Sequence, residues 1–273
     1  MKKKFLIYLS IYILTLLITR FFIPKISYEF MKTNNIKYFI SFMNQIVLLL
    51  FSYALVKSSK INRDSLNKKV NFKFDFKYQF FSFATVIIIF YSFTLLDNGI
   101  FKILTGITSR YYTLDPKFIY TPISFIALCL ILCVFPAITE ECYFRYATKH
   151  FFKDMGKLNF ILLSGITFGL AHNTYLNIFK GLIIGLVLAS IYYRTNSYIL
   201  VVLIHFCYNF LSFIHTYIII LPWNINNTLN LDLTNVEYIS NGFFNISICF
   251  FIIVIYLLIN LLIISKKESK RID

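Results

Sequence analysis

Charge is what this chain has least of. Only 14% of its 273 residues are Asp, Glu, Lys or Arg, and just 12 are acidic. A soluble chain of this length places apolar residues at a period of 2 or 3.6, whereas several segments here are apolar all round and 58% of all residues are hydrophobic. Cysteine offers no disulfide framework. Cys129, Cys133, Cys142, Cys207 and Cys249 lie in or beside apolar runs, and Cys129 and Cys133, four apart on one helical face, suit helix packing better than a metal site. There is no linker, second domain or obvious internal repeat, no nucleic-acid motif and no H-E-x-x-H metal signature.

What the chain does have is a series of apolar runs of about 18 to 24 residues, enough at 1.5 Å per residue to cross a hydrocarbon core of roughly 30 Å. They predict an all-α, polytopic transmembrane helix bundle forming a single domain over residues 1–273. The expected spans are eight, at 5–23, 38–56, 79–96, 121–141, 158–174, 177–193, 198–220 and 242–264. The fifth and sixth are short and tightly joined around 173–177, so seven spans with one re-entrant piece is the competing count.

Basic residues test the count independently. With eight spans and the N-terminus inside, the cytoplasmic segments hold 18 Lys and Arg, among them seven at 57–78, while the outer loops hold seven and Asn224–Asn241 holds none. That asymmetry follows the positive-inside rule and places both termini in the cytoplasm. It also accounts for the net charge of +15, because a basic loop beside a membrane faces anionic lipid and no nucleic-acid partner is required. Lys2, Lys3 and Lys4 before an apolar stretch have the outline of a cleaved signal peptide. The run is long, however, and Arg20, Phe21 and Phe22 stand where small residues would precede a cleavage site, so the segment is expected to stay as an anchor. The polar stretches at 57–78 and 224–241 read as solvated connections. Abundant Lys, Asn, Ile and Phe suggest AT-rich coding, consistent with a bacterial cell-membrane protein.

Ionisable side chains within a membrane cost about 2.5 to 3.5 kcal/mol each on insertion scales and are tolerated where they meet one another or a reactant. Three groups stand out. The first is Thr139-Glu140-Glu141-Cys142-Tyr143-Phe144-Arg145, where the fourth apolar run ends. Glu141 and Arg145 are four apart with the acid first, the favourable order for a helical ion pair, which leaves Glu140 pointing elsewhere. Pro136 removes a helix hydrogen bond just upstream and is expected to bend the helix. Interfacial glutamates beside a snorkelling arginine are the plain alternative. The second group is Phe168-Gly169-Leu170-Ala171-His172, with Phe168 and His172 on one face and Gly165 and Gly169 permitting close helix approach. The third is His205-Phe206-Cys207-Tyr208-Asn209, which again puts two polar side chains on one strip. A structural hydrogen bond or a polar helix contact explains either of these groups taken alone.

Taken together and in order, E-E-x-x-x-R, F-x-x-x-H and H-x-x-x-N resemble the CAAX-processing and bacteriocin-processing (CPBP, or Abi) family of intramembrane proteases, over a core of about residues 120–215. The resemblance implies an endopeptidase that hydrolyses peptide bonds of membrane-associated peptides or proteins near the cytoplasmic face. By this likeness, Glu140 with His172 activates a water, His205 and Asn209 donate to the oxyanion, and Glu141, Arg145 and Phe168 support the site. A carboxylate and an imidazole in a poorly hydrated cavity suit proton transfer, and imidazole and amide donors act strongly where water is excluded.

Two mechanisms stay open within that family. The favoured one needs no cofactor; the other uses a divalent metal such as zinc on Glu140, His172 and His205, three ligands with an open position. Helix arithmetic puts Glu140 and His205 each roughly 12 Å from the cytoplasmic helix ends, but His172 about 21 Å in, deeper by some 9 Å. His150, in the basic turn, and His215, off the face of His205, are expected bystanders. Gly181, Gly185 and Ala189 form a small-residue stripe for tight packing. The rival functions are a non-catalytic scaffold or self-immunity protein of the same fold and a proton- or ion-coupled transporter. The filled motifs speak against the first, and the lack of duplicated halves or matching broken helices against the second. Partners would be the peptide substrate and the bilayer; composition says nothing about oligomeric state.

Overall fold

The computed structural model describes residues 2–30, 36–58, 83–85, 87–96, 122–172 and 174–214, with isolated helical residues at 99, 103, 240, 243–245, 247–248 and 252. Every element among them is helical. The expected span at 242–264, the loops at 59–78 and 224–239, His215 and Cys249 lie outside or almost outside the described residues. The chain divides into two compact units, one of residues 1–82 and 120–213 and one of 83–119 and 214–273. Of the second, the described part is chiefly the apolar helix Phe83–Leu96, whose Ser92 and Thr94 hydroxyls donate to the carbonyls of Ile88 and Phe90 four residues back.

The first unit holds the three motif groups. Its elements are α1 (Lys2–Leu17), a π-helical turn Ile18–Phe22, α2 (Ile23–Phe30), α3 (Ile36–Ser58), α4 (Pro122–Cys129), a π turn Leu130–Val134, α5 (Phe135–Glu141), a π turn Cys142–Ala147, α6 (Thr148–Phe151), α7 (Lys157–Leu170), α8 (Tyr175–Thr195) and α9 (Tyr198–Ile214). Four continuous helical stretches, Lys3–Lys25, Tyr38–Ser58, Phe125–Phe151 and Tyr175–Thr195, are long and apolar enough to cross a membrane, while Lys157–Leu170 and Tyr198–Ile214 are apolar but shorter.

The fourth span corrects one expectation. Its apolar pattern predicts an end at Glu141, yet the helix runs on to Phe151, so the glutamates sit inside it. The charges do not terminate the helix because the buried pair Glu141–Arg145 forms within it. Pro136 falls in the first turn of α5, directly after a π turn, where its missing N–H costs least. The second π turn, Cys142–Ala147, frees carbonyls that side chains then satisfy: Thr148 Oγ1 donates to Tyr143 O at 2.9 Å and Ser164 Oγ to Phe144 O at 2.8 Å.

Helices α7 and α8 form the closest pair, packed through glycines. A Cβ on Gly185 would lie 2.9 Å from the carbonyl oxygen of Gly165 and 3.1 Å from its Cα; one on Gly181 would lie 3.1 Å from Gly169 Cα. The expected small-residue stripe therefore meets the Gly165 and Gly169 face of the neighbouring helix, so dispersion contacts between backbones hold the pair. Thr174 caps α8 by accepting from Asn177 N, and Asn196, at φ 53°, closes it in the left-handed conformation. Since a backbone atom cannot yield as a side chain can, Gly185→Ala is expected to destabilise the protein by about 1–3 kcal/mol. Thermal unfolding in detergent checks this against Gly156→Ala, where nothing lies within 4 Å of the added carbon.

Candidate active site

Glu141 is the centre of the polar cluster. Its side chain and that of Arg145 are both wholly buried, and Arg145 Nη1 donates to Glu141 Oε1 at 2.8 Å. The guanidinium also donates to Gly185 O at 3.2 Å through Nη2 and lies 4.4 Å from the Phe168 ring centroid. The four-residue spacing thus gives the expected ion pair, and α8 and Phe168 complete its surroundings.

The same Oε1 accepts from His205. His205 Nδ1 lies 2.8 Å from it, so this nitrogen carries the proton and the ring is fixed by a carboxylate 64 residues earlier. The opposite nitrogen, Nε2, faces Glu140, 3.8 Å from Oε2. That separation is too long for a direct hydrogen bond, but a water about 2.8 Å from each atom fits beside the line joining them. The Glu140 side chain remains 18% exposed, so water can reach it, whereas Glu141 is sealed. Adjacent carboxylates therefore have separate environments: one is bound into the core and one opens outward.

Phe168 is the hub between the histidines. Its ring centroid is 5.1 Å from that of His172, 5.6 Å from that of His205 and 5.3 Å from that of Phe144. His172 lies in the turn after α7, half-buried, and its Nδ1 donates to Phe168 O at 3.0 Å, which leaves Nε2 as the basic nitrogen of the neutral ring. A Cβ on Gly181 would meet His172 Nδ1 at 2.9 Å, so the imidazole packs against bare backbone. Glu140 and His172 share no hydrogen bond or ion pair among the described residues, in keeping with the difference in depth expected from helix arithmetic. Asn209, one turn beyond His205, is half-buried and makes no hydrogen bond among the described residues. His150 donates to Tyr146 O at 2.8 Å and stacks on that ring, away from the motif groups.

Among the described residues no three of His, Cys, Asp and Glu are gathered closely enough to hold a metal ion. Glu140, His172 and His205 are therefore not arranged as a ligand triad, and no step is derived through zinc.

Several contacts were not legible in the motifs. Thr139 hydrogen-bonds Gln45 of α3, and Tyr198 donates to Ile138 O at 2.7 Å, bracketing Glu140 from two helices. Arg20, in the π turn after α1, donates through Nη2 to the carbonyls of Leu170 and His172. The available sequence signal was the arginine itself, uncompensated at the end of a span.

Apolar helices of membrane-crossing length around a buried Glu–Arg–His cluster define a membrane protein with an enclosed polar site. Residues 122–211 match the family model described as type II CAAX prenyl endopeptidase, Rce1-like. Over that core the chain belongs to the CAAX protease family, in agreement with the resemblance carried by its three motifs. No curated protein and no solved structure matches it.

Proposed function

We propose that the protein is an intramembrane endopeptidase in which Glu140 activates a water for attack on a peptide carbonyl of a membrane-associated substrate. The observation that carries this reading is the opposition of Glu140 and His205 Nε2 across 3.8 Å, with Glu141 fixing the far side of the imidazole. As an oxyanion donor His205 carries a proton on each nitrogen, one held by Glu141 and one directed at the substrate. The two glutamates then balance Arg145 and His205 in charge.

In this mechanism Glu140 takes the proton of the water, the hydroxide adds to the carbonyl carbon, and His205 with Asn209 stabilises the developing oxyanion. Glu140 returns the proton to the leaving amine. His172, with Nε2 free, shares in holding the proton as the water is activated.

Eight spans with both termini in the cytoplasm remain the proposed topology, and two contacts support its parity. Lys149 donates to Asn196 at 3.0 Å, linking two turns expected on the cytoplasmic side. Tyr12 donates to Thr167 O, and Arg20 to Leu170 and His172, so α1 and α7 advance in the same direction, as the first and fifth spans should. The cleavage site then opens toward the cytoplasm.

The decisive comparison is the membrane peptidome of cells carrying native protein and cells carrying Glu140→Ala. Fragments present only with the native protein are expected; identical peptidomes would remove the proteolytic reading. With purified protein and a prenylated CAAX peptide, cleavage is expected to persist after exhaustive chelation. Loss restored by added zinc would instead support the metal mechanism.

A further inference from the structure

The N-terminal helix lies outside the residues matched to the family, yet it grips the segment that ends in His172. Tyr8 Oη is 3.4 Å from Thr167 Oγ1 and accepts from Thr148 Oγ1 at 3.2 Å; both hydroxyls are buried. One turn on, Tyr12 donates to Thr167 O at 2.8 Å. Beyond these, Arg20 donates to Leu170 O and, at 2.6 Å, to His172 O. These two carbonyls belong to the C-terminal end of α7, where the last acceptors have no partner within the helix and the dipole favours a cation.

The π turn brings Arg20 to this place. In a regular helix at 100° per residue, eight residues past Tyr12 would lie about 80° off its face. The wider turn Ile18–Phe22 reduces that offset, so the guanidinium continues the line of Tyr8 and Tyr12 along α7.

We propose that Arg20 is a positioning residue for His172, holding the main chain of the turn after α7 so that the imidazole keeps its place. Main-chain anchoring by Arg20 complements the side-chain anchoring by Phe168 O and the Gly181 backbone. Loss of the guanidinium frees the last carbonyls of α7 and the backbone of His172 while leaving Glu140, His205 and Asn209 where they are. The inference rests on the reading that His172 takes part in hydrolysis.

The test is a double-mutant cycle on the full chain in liposomes, with a prenylated CAAX peptide as probe and thermal unfolding measured in parallel. Arg20→Met is expected to lower kcat roughly 10- to 100-fold, the scale of a small misplacement of a reacting group, with KM nearly unchanged. Arg20→Lys should recover part of the loss. Tyr12→Phe, which removes a hydrogen bond to the same helix without touching the turn, should lower the melting temperature with a much smaller effect on kcat. In a His172→Ala background, Arg20→Met should add nothing. If Arg20→Met does not accumulate as folded protein, the same cycle is run with Arg20→Lys.

Full activity of His172→Ala would overturn the underlying reading. A strong loss in His172→Ala together with an Arg20 effect that is absent, or that multiplies with it, would overturn the positioning role alone.

Discussion

Protein carrying Glu140→Gln is expected to fold as the native protein does and to turn over a prenylated CAAX peptide about 10²- to 10⁴-fold more slowly, the usual contribution of a general base. The substitution keeps the size and hydrogen-bonding shape of the side chain and removes only its basicity. Glu140 is not part of the sealed ion pair, and its ionisable neighbour His205 is 3.8 Å away and held independently by Glu141. Stability should therefore change little, which separates this variant from those of its neighbour. Single-turnover cleavage beside a thermal melt gives both readouts. A variant that melts normally and cleaves at the native rate would transfer the base function away from Glu140, with His172 Nε2 as the available alternative.

The opposite division is expected at the next residue. Glu141→Ala should cost about 3–5 kcal/mol of stability, the penalty for stranding one partner of a buried ion pair. Against a typical stability of about 5–15 kcal/mol, much of the protein would fail to accumulate. Arg145 would keep the Gly185 carbonyl and the Phe168 ring, but neither carries a compensating charge. His205 would lose the acceptor on Nδ1 and its fixed orientation at once. Replacing the pair together, as Glu141→Gln with Arg145→Met, should recover part of the stability, because no lone charge is left inside. Chemical denaturation in detergent measures both variants. Native stability for Glu141→Ala with abolished cleavage would make Glu141 a direct participant in the reaction.

The motifs announced what lies close along the chain. Glu141 and Arg145 are one helical turn apart, and the glycines at 165, 169, 181 and 185 recur at the interval that puts them on one face, so both contacts follow from helix geometry. Contacts between distant segments follow from packing. His205 was expected to act with Asn209 as an oxyanion donor, but no spacing rule ties it to Glu141, the residue that fixes its tautomer. Arg20 counted in sequence only as an obstacle to signal cleavage; its placement on α7, 150 residues away, requires two helices to lie side by side in parallel. The π turns were equally silent, apart from the hint at Pro136. An extra residue in a helical turn leaves the apolar pattern almost intact while rotating everything beyond it, which is why the fourth span continues past Glu141 to Phe151.

That rotation has a bearing on how the protein tolerates change. Removing a single residue from Cys142–Ala147 would return the segment to regular winding and swing the side chains that follow by about 100°, even if each remaining residue were untouched. Thr148 would leave the hydroxyl of Tyr8, and Lys149 would leave Asn196. The wall of this cavity can exchange one apolar side chain for another of similar volume, but insertions and deletions there are barred, so length is guarded more strictly than spelling.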